Sequence, residues 1–173
     1  LFSVYVVAAD DWCGTEGFTA EVHQNDEGSE IIAGQGGASP LFEFRLYGEH
    51  SATLMTAPDY SRGWLLAERH HTYGVNNALM VMYALATACR RTALFHSSVV
   101  GFNHHGYMFL GLSGTGKSAH SRLWLQHIKG TELLNDDNPV VRIIDEKAYV
   151  YGSPWSGKTP CYRKVVEPLG ALV

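Results

Sequence analysis

Gly111-Leu112-Ser113-Gly114-Thr115-Gly116-Lys117-Ser118 satisfies the phosphate-loop pattern G-x-x-x-x-G-K-[ST] in full. Gly111, Gly114 and Gly116 allow backbone angles closed to other residues, so successive N–H groups can turn inward on one phosphate. Lys117 brings a compact cation to the β- and γ-phosphates, and the Ser118 hydroxyl is a hard oxygen ligand for Mg2+. Ser113 and Thr115 lie inside the wrap and count with these five as the nucleotide-binding set. On one flank, Tyr107 to Leu110 reads as a short buried strand. On the other, Ser118 to Lys129 lacks Gly and Pro, carries Leu123, Trp124, His127 and Ile128 at helical spacing, and stops at Gly130. Strand, glycine-rich loop and helix is the context that confirms a phosphate loop, with the helix dipole aimed at the anion. The competing reading is a glycine-rich turn before an ordinary helix.

Around this stretch lie 173 residues, 46% apolar and 12% aromatic, enough for one substantial core or a core plus a small module. Thirteen basic residues face seventeen acidic ones, and no basic stripe appears, which argues against a nucleic-acid partner. The longest strongly apolar run, Ala78 to Cys89, is too short to span a bilayer, so no membrane partner is expected. No charged segment followed by an apolar one opens the chain, so no secretory leader is expected. Cys13, Cys89 and Cys161 are widely spaced and form no CxxC pair; free thiols in a reducing, cytoplasmic setting fit best. The chain opens on Leu1 without Met and closes on Leu169 to Val173, which reads like a strand beginning. The natural protein is therefore expected to continue beyond Val173.

Two regions are expected: a small mainly-β part over residues 1–75 and a phosphate-loop domain over 76–173. Leu1 to Ala8 has strong β propensity. Asp10 to Gly37 is polar and glycine-rich and reads as turns and a loose hairpin. Leu41 to Tyr47, Ser51 to Met55 and Trp64 to Ala67 read as strands of a small antiparallel sheet. Asn76 to Arg90 reads as a helix with Leu79, Met80, Met82, Tyr83, Leu85 and Ala86 in an apolar stripe. The His70-His71 pair reads as solvated or capping rather than metal-binding. Thr92 to Val100 and Tyr107 to Leu110 form a hairpin whose tip holds Asn103, His104 and His105. Thr131 to Asp137 reads as a further strand, and Val140 to Ile144 with Ala148 to Tyr151 as a second hairpin.

Asp136 and Asp137 end the strand that follows the phosphate-loop helix, where nucleotide-dependent enzymes keep the carboxylate that holds Mg2+. One can serve the cation while its neighbour accepts a hydroxyl proton. Asn135 to Asn138 before Pro139 is also good turn chemistry, and that alternative stands beside the metal reading. By pattern alone, His96 in Leu94-Phe95-His96-Ser97-Ser98 reads as a hydrogen-bonded core histidine.

In order, Phe95-His96-Ser97-Ser98-Val99-Val100, a short hairpin, the phosphate loop, a helix and Leu133-Leu134-Asn135-Asp136-Asp137 resemble the catalytic domain of HPr kinase/phosphorylase. The resemblance is closer to uncharacterised bacterial HPr-kinase-like proteins with a segment like Gly152-Ser153-Pro154-Trp155-Ser156-Gly157-Lys158. It covers about Thr92 to Val173. It implies an α/β class (an α+β mixed sheet), with a nucleotide-binding core like that of phosphoenolpyruvate carboxykinase and the HPr kinase C-terminal domain, preceded by the small antiparallel β region. It also implies ATP and Mg2+ as cofactors, with Lys117 and the loop amides on the phosphates and Ser118 and Asp136 at the metal. Asp137 would be the proton acceptor, and His96 would match the active-site histidine. The implied activity is ATP-dependent phosphorylation of a serine hydroxyl on a protein or peptide. Beside it, Trp155, Lys158 and Arg163 are candidates to border the acceptor, with plain packing of the Pro-Trp loop as the alternative. A carboxykinase-type reaction on a small carboxylic acid and a non-catalytic nucleotide-binding module are the alternatives. The acceptor's identity and self-association into a homo-oligomer stay open.

Overall fold

A computed structural model describes residues 2–12, 14, 17–67, 72–157 and 159–173. The readings placed on Cys13, on His70-His71 and on Lys158 fall outside the described residues. Among those described, thirteen strands and two α-helices form two compact units, Leu1–Thr87 and Ala88–Val173.

The first unit is a six-stranded sheet in which β2 (Phe18–Asp26), β3 (Ser29–Gly36), β4 (Ser39–Leu46), β5 (Glu49–Thr56) and β6 (Arg62–Ala67) meander antiparallel. The remaining strand, β1 (Ser3–Val7), joins β6 in parallel, so the sheet is mixed rather than antiparallel. Glu27-Gly28 and Tyr47-Gly48 both take positive φ at the turns β2–β3 and β4–β5. Two successive residues at positive φ give the primed turn whose twist matches the flanking strands. The Glu27-Gly28 turn closes the expected loose hairpin of residues 10–37 into two long strands. The edge strand β2 is exposed along nearly its whole length, so it carries no apolar alternation to betray it.

Helix α1 (Thr72–Ala88) belongs to this unit. Ala78 and Met82 pack with Phe44, Ala52, Leu54 and Leu65 in the core. The buried face of α1 runs through Gly74, Ala78, Met82 and Thr87, while Leu79 of the expected stripe is 38% exposed. Met82 of the expected stripe is in the core, but Gly74 and Ala78 are small where the helix approaches the sheet closely. The Gly74 N–H donates to Ser51 Oγ at 3.0 Å, and a Cβ on Gly74 would stand 2.6 Å from Ala52 Cβ.

In the second unit, seven strands run in the order β10-β8-β9-β13-β12-β11-β7. They are β7 (Thr92–Leu94), β8 (Ser97–Phe102), β9 (His105–Leu110), β10 (Glu132–Asn135), β11 (Val140–Ile144), β12 (Lys147–Tyr151) and β13 (Val166–Leu172). Val99, Met108, Leu134 and Val150 form its core. Helix α2 (Lys117–His127) packs on β8 and β9, with Trp124 against Phe102, Tyr107 and Phe109. Asn103-His104 and Asp145-Glu146 take positive φ and close the two expected hairpins. The expected strand Thr92 to Val100 is broken: β7 pairs with β11, whereas β8 pairs with β9 and β10.

The expected α/β core of carboxykinase or HPr-kinase type is not what forms. Strands take 49% of the chain and helices 19%, in two mixed sheets. An α/β core requires parallel strands joined through helical crossovers. Here β13 and β9 are the only parallel neighbours described in the second sheet, and three further strands separate α2 from β13. Hairpins, not βαβ units, build the sheet. No helix among the described residues is long and apolar enough to cross a membrane.

Gly74→Ala tests the helix–sheet approach. Better helix propensity is worth about 1 kcal/mol, and overpacking costs about 1–3 kcal/mol, so a net loss is expected. A chemical melt that stays level or shifts upward contradicts the close packing.

Candidate functional site

β9 delivers the chain into the loop at Leu110, and α2 begins at Lys117. Gly111, Gly114 and Gly116 sit at φ 148°, 79° and 99°. A Cβ on Gly114 or Gly116 would meet nothing within 4 Å, so glycine serves the backbone angle there rather than making room. No side chain caps the start of α2, which leaves its first N–H groups available to an anion. Thr115 Oγ1 donates to Leu112 O at 2.8 Å and tightens the loop. The Lys117 ammonium lies over it, donating to the carbonyls of Gly111 (2.8 Å) and Leu112 (2.9 Å).

The carboxylate pair is positioned by Asn135, the fully buried last residue of β10. Its Oδ1 accepts from the Asp137 N–H at 2.9 Å, and its amide donates to Ser153 Oγ and Trp155 O, both at 3.2 Å. The turn chemistry set against the metal reading is therefore real, but Asn135 performs it. Asp136 and Asp137 are left facing a cleft. Ser98 Oγ donates to Asp136 Oδ1 at 2.6 Å, and Ser121 Oγ lies 2.5 Å from Ser98 Oγ.

His96 occupies the break between β7 and β8, where Phe95 N and Ser97 N donate to the Pro139 and Asp137 carbonyls. It is not a core histidine: its side chain is 53% exposed, with Nδ1 3.2 Å from Asp137 Oδ1. A continuous strand would have carried it into the sheet, and the break turns it toward the carboxylates.

One cleft of about 430 Å3 gathers Ser113, Gly114, Gly116, Lys117 and Ser118 with Asp136, Asp137 and His96. Gly111 and Thr115 line a neighbouring hollow of about 350 Å3 with Phe109, His120 and Val173. Of the expected acceptor-side residues, Arg163 is engaged on β10 through Leu133 O (3.0 Å) and Glu132 (2.8 Å). Trp155 braces the carboxylate turn through its backbone, which accepts from Asn138 N at 3.2 Å.

Ser98, Arg122 and Gly157 also line the cleft, and sequence reasoning passed over them. Arg122 had a legible signal, since it stands four residues after Ser118 on one helix face. Gly157 sits at φ 60° over the carboxylates, where a Cβ would stand 3.0 Å from Asp137 Cβ. Only the fold reveals that approach.

Hard oxygen donors, Ser118 Oγ and Asp136, share the cleft with the phosphate loop. Mg2+ keeps several waters and takes one or two protein oxygens beside substrate phosphates, so this donor set fits it. Larger all-protein cages are a different matter: no group of three or more His, Cys, Asp or Glu suited to a metal forms among the described residues.

Of the two cysteines among the described residues, Cys89 is exposed and Cys161 is not. Cys161 is buried, its Sγ 3.4 Å from Leu133 O, and burial pushes its thiol above the usual range. Neither a family model nor any curated protein gives a significant match to this chain.

Alkylation with peptide mapping checks the thiol assignment. Exposed Cys89 should be modified well before Cys161 near pH 8, with Cys161 following on denaturation. Equal rates in the folded protein contradict it.

Proposed function

We propose that the second unit binds ATP at the Gly111–Ser118 loop and transfers its γ-phosphoryl group to a hydroxyl, in the manner of an HPr-kinase-like serine kinase. The observation that carries this reading is convergence. A full phosphate loop, two adjacent carboxylates and an exposed histidine come from separate stretches of chain and line one cleft. The motif order resembling HPr kinases supports a protein or peptide hydroxyl as acceptor. Free Cys89 and Cys161 suit a cytoplasmic setting.

Lys117 and the unbonded N–H groups of the loop and α2 hold the phosphates in line with the acceptor. Asp137 takes the hydroxyl proton as the oxygen attacks the γ-phosphorus, and the bond from that phosphorus to the β–γ bridging oxygen breaks to release ADP. His96, 3.2 Å away through Nδ1, keeps that carboxylate turned toward the acceptor. Ser118 and Asp136 would hold Mg2+, which when bound neutralises charge on the β- and γ-phosphate oxygens. Arg122 adds a second cation to the cleft beside Lys117. Phosphoryl transfer needs little from the protein beyond this positioning and charge.

Thermal melting is the first check. Mg-ATP at about a hundred times its Kd stabilises by about 2.7 kcal/mol, a rise of about 5–10 °C for a chain of this size. Lys117→Ala should abolish the rise, and absence of any rise in the unmodified protein sinks the proposal.

Asp137→Asn separates a kinase from a binding module. Nucleotide binding should persist while ADP release from ATP falls by about a hundredfold or more. Undiminished turnover removes Asp137 from the role of base, and no turnover in the unmodified protein favours the module.

A further inference from the structure

Ser98 and Ser121 are each 1% exposed, yet both carry hydroxyls where β8 and α2 meet. Ala or Val would pack such a position without a polar group to satisfy, and a buried hydroxyl left alone costs about 1–3 kcal/mol. Asp136, as a carboxylate, only accepts, so the single Ser98 proton goes to Asp136 Oδ1 at 2.6 Å. The 2.5 Å contact between the hydroxyls must then carry the Ser121 proton. The result is a directed relay, Ser121 to Ser98 to Asp136, linking α2, β8 and the end of β10.

We infer that Ser98 and Ser121 are positioning residues for the cation that accompanies the nucleotide, an inference that rests on the function proposed above. Ser98 ties down one oxygen of Asp136 and keeps the carboxylate from rotating, so the second oxygen is presented to the cation. Ser121 fixes the direction of the Ser98 hydroxyl. It stands three residues after Ser118 on the same helix, so the element that receives the phosphates also sets the carboxylate. Partners that orient a metal-binding group typically change metal affinity by about 10–100-fold when removed.

The test reads Mg2+ dependence rather than turnover. Binding of a fluorescent ATP analogue is titrated with Mg2+, and the same binding is measured in chelator. Ser98→Ala should raise half-saturating Mg2+ about tenfold and leave metal-free binding unchanged. Ser121→Ala should raise it less, by about threefold, because Ser98 still donates. The double variant should match Ser98→Ala, since Ser121 acts only through Ser98. Melting without ligand reads folding separately, and Ser121→Ala serves if Ser98→Ala fails to fold. An unchanged Mg2+ titration in these variants, or an equal loss with and without Mg2+, overturns the relay alone. Absence of nucleotide binding in the unmodified protein overturns the nucleotide reading and the relay with it.

Discussion

The register of the β8–β9 hairpin decides what the second unit can hold. Across the Asn103-His104 turn, Ser97 pairs with Leu110 and Ser98 with Phe109. The first residues of β8 therefore lie beside the last residues of β9, where the phosphate loop begins. β10 runs antiparallel along the other side of β8 with Asn135 opposite Val99, which brings Asp136 level with Ser98. Two registers on one strand thus assemble His96, Ser98, the loop and the carboxylates. A slip of one residue would send Ser98 to the opposite face, which Val99 now occupies in the core.

That dependence explains why polar residues crowd a region that could have been a plain core. Asn135, Ser98, Ser121 and Ser153 are all buried; Asn135, Ser98 and Ser153 bond to the carboxylate turn or Asp136, and Ser121 bonds to Ser98. Ser97 Oγ is buried without a partner among the described residues, a cost of about 1–3 kcal/mol. Hydrophobic packing resumes just past Ser98, at Val99 and Val100, both fully buried. The strand is thus divided along its length, a polar start at the cleft and an apolar continuation that anchors it.

Features whose cause is local were legible in the sequence. The loop glycines demand backbone angles that no neighbour supplies, and Asn103 suits the left-handed φ its turn requires. The α2 helix starts one residue before the stretch read for it and stops two residues earlier. What could not be read depends on partners distant in the chain. The fold class failed because a strand, a loop and a helix look alike whether the next strand runs parallel to its neighbour or, like β10 beside β8, antiparallel. Along α1 the large residues drew attention, whereas Gly74 and Ala78 face the sheet. Pattern read His96 as a core histidine, and it is exposed instead because the chain breaks there between two strands with different neighbours.

Arg163 shows the same limit from the charge side. A basic residue near a carboxylate pair invites an acceptor role, yet its guanidinium closes on Glu132 and Leu133 O of β10. Arg122 gained no notice in the sequence, yet lines the cleft four residues past Ser118. The difference is covalent distance to the loop. Arg122 is tied to the phosphate-binding turn by one turn of rigid helix, whereas Arg163 reaches the unit through a connection without regular structure between β12 and β13. A charge on the helix shares the loop's frame of reference, and that makes it the stronger candidate for holding an anion in the cleft.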